Sequence, residues 1–134
     1  SVADVERLVS EDKGLKVVFR ELPILSASSK QAALWSLAAA EQGKYGAFHS
    51  AMFDTGRPST TTIESAATAA GMDLDKARAR LKAPEFQYEI DQNLEMARTL
   101  NATGTPTFVV GNEVIFGAAG YDALKAAIAK ARGQ

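Results

Sequence analysis

The chain has 134 residues, 46% of them hydrophobic and 23% charged, with a formal net charge of −1. Acids and bases are interspersed and no basic stripe stands out, which argues against a nucleic-acid partner or an anionic membrane surface. No apolar run approaches transmembrane length, and the length fits one domain, residues 1–134, able to bury a substantial core. No signal-peptide pattern stands in these residues, which is also how a mature or trimmed chain would look. There is no cysteine and one histidine, His49. The polypeptide as it stands therefore offers no disulfide, no thiolate nucleophile, no Cys-ligated metal and no His-rich zinc site. No catalytic residue, metal or cofactor is assigned to it.

Val2, Val5, Leu8 and Val9 recur at helical spacing, which predicts a helix from the first residue, ended by Gly14. That helix lacks a capping residue and looks cut rather than begun. Leu15 to Leu22 is rich in β-branched and aromatic residues and reads as a strand closed by Pro23. Residues 27–103 form a long alanine-rich helical region. Ser28-x-x-Gln31 has the form of a capping box, followed by an apolar face of Leu34, Leu37 and Ala38 and a stop at Gly43. A short helix from about Tyr45 to Phe53 follows. Thr61-x-x-Glu64 is a second capping box, with Ile63, Ala66, Ala67 and Ala70 on one face and Gly71 closing the helix. Asp73 or Asp75 opens a brief helix to about Leu81. Pro84 fits the first turn of the next, where its missing N–H costs nothing, and Phe86, Ile90, Leu94, Ala97 and Leu100 share one side.

Thr107–Val110 and Glu113–Phe116 are two β-rich runs separated by Gly111-Asn112, a pair able to supply the positive φ of a tight hairpin turn. Pro106 cannot donate to a ladder and so opens the first strand or sits on its free edge. Tyr121 to Arg132 closes the chain as a helix with Leu124, Ala127, Ile128 and Ala131 inward.

The run Gly104 to Gly120, followed by Tyr121-Asp122-Ala123-Leu124, resembles the C-terminal part of the DsbA-like thiol-disulfide oxidoreductases, closest to their secreted or outer-membrane-associated bacterial branch. Lys16 to Leu25 and Gly43 to Phe53 resemble the same family in the same order. The resemblance implies an α/β, thioredoxin-like fold with an all-helical insertion over about residues 27–103. It also implies a departure. Family members carry a strand and a C-x-x-C motif opening the first long helix, and Ser1 to Leu8 resembles the part of that helix just after the second cysteine. The expectation is that the first, central strand is absent from this chain. Unpaired backbone groups beside it would cost about 1–3 kcal/mol each if buried. A longer natural chain, a strand donated by a second copy, or direct pairing of the two flanking strands would each relieve that cost.

Read from the residues alone, Pro106 is a trans proline opening a strand, since cis is about one X-Pro bond in twenty. The resemblance implies instead a cis-proline loop, with Gly104, Thr105 and Pro106 receiving the extended backbone of a substrate. His49, between Phe48 and Phe53, reads as a helix-packing residue rather than a general base. Arg20-Glu21 reads as a solvated strand end, Asp91, Glu95 and Arg98 as a helix surface, and Tyr45, Phe48, Met52 and Phe53 as core. Trp35 fits either core or groove.

The resemblance implies a protein that exchanges disulfides with thiol-containing or unfolded polypeptides in the periplasm or outside the cell. The chain itself lacks the redox cysteines. The alternative is a non-catalytic thioredoxin-like module that binds peptides or self-assembles as a strand-swapped homo-oligomer. A glutathione-dependent transferase or isomerase of the related kappa type fits less well, because Glu21 to Leu25 and Tyr121 to Leu124 look less like that branch.

Overall fold

Side-chain caps rather than composition decide where three helices of this chain begin. A computed structural model of the chain describes residues 2–24 and 26–134. Ser1, in the first predicted helix, and Leu25, at the end of a resemblance motif, lie outside the described residues. The elements run α1 (Val2–Glu11), α2 (Ala27–Glu41), α3 (Tyr45–Thr55), α4 (Thr60–Ala69), α5 (Leu74–Arg80), α6 (Pro84–Thr99), β1 (Thr107–Val110), β2 (Glu113–Phe116) and α7 (Tyr121–Ala131).

Both predicted capping boxes lie elsewhere. The cap of α2 is Ser26, whose hydroxyl accepts from Ser29 N, not Ser28 with Gln31. The box of α4 is Ser59 with Thr62, not Thr61 with Glu64. In each case an equivalent hydroxyl lies two residues upstream, and the run of Ser and Thr leaves the sequence ambiguous. Asp73 caps α5, its carboxylate accepting from Lys76 N. Pro84 is the first residue of α6. The first helix ends at Glu11, before Gly14. Asp12 then accepts from Gly14 N in a local side-chain turn, so Gly14 is not a left-handed helix stop.

The chain divides into two compact units, residues 21–95 and residues 1–20 with 96–134. In the first, α2 packs on α3, α4 and α5, and α3 on α4. Ala39, Ala66, Ala67 and Ala77 are completely buried around Phe48 and Ile63. Methyl side chains let helix backbones approach closely, and the aromatic and branched residues fill what remains. The Gln42 side chain joins the end of α2 to the start of α5, donating to Asp73 O at 3.0 Å and accepting from Asp73 N at 2.8 Å.

In the second unit β1 and β2 pair antiparallel, with Thr107 opposite Phe116 and Val110 opposite Glu113. Only Gly111 of the turn has positive φ, 60°, the pattern of a II′ turn, so Asn112 supplies none. The predicted strand over residues 15–22 is not formed. Those residues have no regular structure, and among the described residues the sheet holds β1 and β2 alone. Direct pairing of that run with β1 is thereby ruled out. A β-rich composition favours a strand only where a second strand completes the ladder. Helix α7 packs on α1 and β1. Arg7 stacks its guanidinium 3.8 Å over the Tyr121 ring, the Tyr121 hydroxyl donates to Glu11, and Arg132 reaches Asp12 at 2.6 Å. Leu124 and Ala127 face inward, whereas Ala131 is exposed at the surface.

Ala131 nonetheless constrains the hairpin. A Cβ at Gly111 would stand 2.9 Å from Ala131 Cβ, on a backbone already in the left-handed region. We expect Gly111→Ala to cost about 1–3 kcal/mol in urea unfolding through strain and clash together. Gly46→Ala, in α3 with open space around it, is expected to add about 0.5 kcal/mol. Equal effects of the two would refute the close-approach argument.

Candidate functional site

The approach to the site starts at the end of α6. Asn101 stands in the left-handed region at φ 57°. Its N–H donates to Arg98 O, and Ala102 N–H donates to Ala97 O at 2.8 Å. This is the Schellman termination, with asparagine where α2 and α4 use Gly43 and Gly71. It turns the chain into the loop Thr103-Gly104-Thr105-Pro106, which leads straight into β1. The Thr105–Pro106 peptide bond is cis.

Two hydrogen bonds hold the loop to the hairpin. Thr107 Oγ1 donates to Gly104 O at 2.9 Å, and Gly117 N–H donates to Pro106 O at 2.9 Å. Gly104, Thr105 and Pro106 are all exposed. A hollow of about 300 Å³ lies against them, lined by Asn101, Thr103, Gly104, Thr105, Thr107, Phe116 and Gly117. So the structure brings Gly104 and Thr105 to one surface and leaves Pro106 anchoring it through its carbonyl.

The sequence reading missed Asn101 and Phe116. An asparagine directly after a long apolar helical face was the available signal for the first. For Phe116, 57% exposed, its place at the end of a short strand beside Gly117 gave none. Among the described residues no titratable side chain lines the hollow. It offers backbone, hydroxyls and one aromatic face, which suits holding an extended chain and not proton transfer. Nothing lies within 4 Å of where a Cβ of Gly104 would stand, so another backbone can approach there.

Apart from Arg20 and Arg98, the other residues singled out in the sequence are in the helical unit. His49 lies between Tyr45 and Phe53 along α3, stacked on the Tyr45 ring with centroids 5.7 Å apart and tilted against the Phe53 ring at 4.9 Å. Trp35 is buried in the core, and its Nε1 has no hydrogen-bond partner. Asp91 accepts from Gln87 at 2.8 Å. Phe48 is core, but Phe53 is 64% exposed. Five residues on, it lies about 140° round the helix from Phe48.

Glu21 is not a solvated end. It is half-buried, its Oε1 accepts from the Tyr45 hydroxyl at 2.5 Å, and its carbonyl accepts from Asn93 Nδ2 at 2.9 Å. Burial pushes its carboxyl above the ordinary glutamate range, against hydrogen bonds from Tyr45 and Ser36 that favour the charged form. Burial, and then the Glu21 charge, push the Tyr45 phenol up in turn. Among the described residues no group of three or more His, Asp or Glu is placed to hold a metal ion.

If Thr107 Oγ1 fixes the loop, Thr107→Val should keep the strand and release Gly104. We expect a cost of about 0.5 kcal/mol, the low end for an exposed hydrogen bond, with faster amide exchange confined to Gly104 and Thr105. Unchanged exchange there would show that the bond does not hold the loop.

The sequence pattern of the DSBA-like thioredoxin domain matches residues 2–129. A thioredoxin-like oxidoreductase from Silicibacter pomeroyi DSS-3 is 35% identical, with a TM-score of 0.94 over 99% of this chain and 78% of that one. The thiol-disulfide exchange protein α-DsbA2 of Wolbachia pipientis is 27% identical, with a TM-score of 0.87 over 96% of this chain and 71% of its own. Proteus mirabilis ScsC in a compact conformation, 21% identical with a TM-score of 0.86 over 99% and 74% of the two chains, shares the fold. No match was found among curated proteins. With seven helices and one antiparallel hairpin among the described residues and a family match along nearly its whole length, this chain belongs to the DSBA-like thioredoxin family and has a thioredoxin-like fold.

Proposed function

We propose that the chain is the scaffold and substrate-receiving part of a thiol-disulfide oxidoreductase acting on proteins in the periplasm or outside the cell. On this reading residues 1–134 form a single DsbA-like thioredoxin domain with residues 27–103 as its helical insertion. Gly104, Thr105 and Pro106 receive the extended backbone of a thiol-containing or unfolded polypeptide. The observation that carries the reading is the open, uncharged hollow beside this loop in a chain of this family. The similarity to a thioredoxin-like oxidoreductase supports it.

Disulfide exchange needs a thiolate. It attacks a substrate disulfide, forms a mixed disulfide and expels the substrate's other sulfur, and a second thiol then resolves the bond. The 134 residues contain no cysteine, so the exchange requires a cysteine pair beyond them. At a helix N-terminus such a thiolate would be stabilised by the unpaired N–H groups. The proposed role of this chain is to hold the substrate strand next to it.

The absence of cysteine also favours a second reading, a binding module without turnover. Residues 15–22 are β-rich and Val18 is 64% exposed, which supports strand donation between copies as a route to self-assembly.

Two measurements test these readings. The first compares reduction of a disulfide reporter, with dithiothreitol as the electron donor, by the 134-residue chain and by the chain extended upstream of Ser1 with a strand and a C-x-x-C segment. We expect no turnover from the former and turnover from the latter, abolished by Cys→Ser in the added pair and weakened in KM by Thr105→Arg. An inactive but folded extended chain that still binds reduced, unfolded polypeptide would favour the binding module, and retained glutathione would favour the kappa-type alternative. In the second, sedimentation of the 134-residue chain is expected to show concentration-dependent association. A monomer at all concentrations would rule out strand donation.

A further inference from the structure

Helix α1 packs on α7 and buries Leu8. A cluster around one ring fixes how the two helices meet. Tyr121, the first residue of α7, carries the Arg7 guanidinium 3.8 Å over its face. Arg7 Nε donates to Glu11 Oε1 at 2.8 Å, and the Tyr121 hydroxyl donates to the other oxygen of the same carboxylate. Lys125, one turn along α7, donates to the Tyr121 oxygen at 3.3 Å. Arg7 and Glu11 are four residues apart and so share one face of α1. The ring face holds one of them and the ring edge, through its hydroxyl, holds the other. Rolling or sliding α1 on α7 would break at least one of these contacts.

Tyr121 also stands close in the chain to the cis-proline loop. Ala118, Ala119 and Gly120 separate it from Gly117, whose N–H donates to Pro106 O at 2.9 Å. One short segment therefore ties the loop at one end and α1 at the other. We propose that Tyr121 is a positioning residue for disulfide exchange, setting where α1 stands relative to Gly104 and Thr105. This rests on the function proposed above, in which the thiolate stands at the N-terminal end of α1 and the loop receives the substrate. Tyr121 touches neither sulfur nor substrate and acts through α1. Exchange needs the attacking and attacked atoms brought together in alignment, so a displacement of about 1 Å at the end of α1 is enough to slow it.

The placement of α1 is measurable in the 134-residue chain. Having no cysteine, it accepts a nitroxide at one chosen position, and Ala3→Cys puts that label on an exposed residue of α1. Paramagnetic broadening of the Gly104 and Thr105 amide signals then reports how far α1 stands from the loop. Tyr121→Leu removes both the ring face and the hydroxyl and is expected to change that broadening. Tyr121→Phe keeps the ring face and is expected to change it less. Unchanged broadening in Tyr121→Leu overturns the proposal. Should Tyr121→Leu not fold, Arg7→Gln, at an exposed position, empties the ring face instead. Changed broadening there supports the proposal, and unchanged broadening overturns it.

Turnover is read in the chain extended upstream of Ser1 with a strand and a C-x-x-C segment, using a disulfide reporter and dithiothreitol. Tyr121→Leu is expected to lower kcat about tenfold and to leave KM within about twofold, because the loop that receives substrate is unaltered. A purely structural role would lower the unfolding midpoint and leave kcat of the folded chain where it was, and that result overturns the proposal. A rise in KM at constant kcat also overturns it, since it places Tyr121 in substrate binding. An unsubstituted extended chain without turnover refutes the proposed function and takes the exchange role with it. The broadening needs no redox activity, so it still decides whether Tyr121 sets the position of α1.

Discussion

A β-strand lasts only where its N–H and C=O groups meet a partner, and that requirement decides most of what forms in residues 1–20 and 96–134. Thr107–Val110 finds its partner in Glu113–Phe116 across a two-residue turn. Leu15–Leu22 is just as rich in valine, phenylalanine and leucine, has no ladder partner among the described residues, and has no regular structure. A two-stranded hairpin alone is marginal in water, so β1 and β2 depend on α7 packing against them. Gly111 permits that packing by having no Cβ to meet Ala131. The glycine thus serves turn and helix contact together. The turn role was legible from its neighbours in sequence, and the packing role was not, because Ala131 is twenty residues away.

In residues 21–95 the determining feature is small side chains. Buried alanines on α2, α4 and α5 bring helices close enough for Phe48 and Ile63 to fill the remaining space. This part of the fold was largely legible, since alanine-rich runs punctuated by Gly43, Gly71 and Pro84 admit little but helices. Helix starts were less so, because Ser26, Ser28 and Ser29, or Ser59 and Thr60 to Thr62, are chemically equivalent caps until the backbone chooses one. Phe53 shows the same limit in another form. Composition reads it as core, yet its angular distance from Phe48 turns it outward, and the spacing carried that information.

At the loop, the sequence supplied Gly104, Thr105 and Pro106, and the structure adds the parts that hold them. Asn101 turns the chain out of α6, Thr107 ties back Gly104 O, and Gly117 ties back Pro106 O. None of these carries a charge or a reactive group, which is why motif reasoning passes over them. They are nevertheless what makes the loop a defined surface. Helix termination, a side-chain hydroxyl and the hairpin base fix the loop's carbonyl groups from three directions.

The carboxylates divide by environment in a way composition cannot show. Glu11 is held below the usual range by hydrogen bonds from Tyr121 and then Arg7, and Asp12 is held below it by Arg132. Glu11 is exposed and Asp12 partly so, and their pairing is screened and modest. Their contribution is present above their unfolded values of 4.5 and 3.8 and is lost as pH falls through the lower folded values. Glu21 is pushed the opposite way, because burial disfavours its charged form more than its hydrogen bonds favour it. Neighbours distant in sequence, and not composition, thus set the direction in which each carboxyl is pushed.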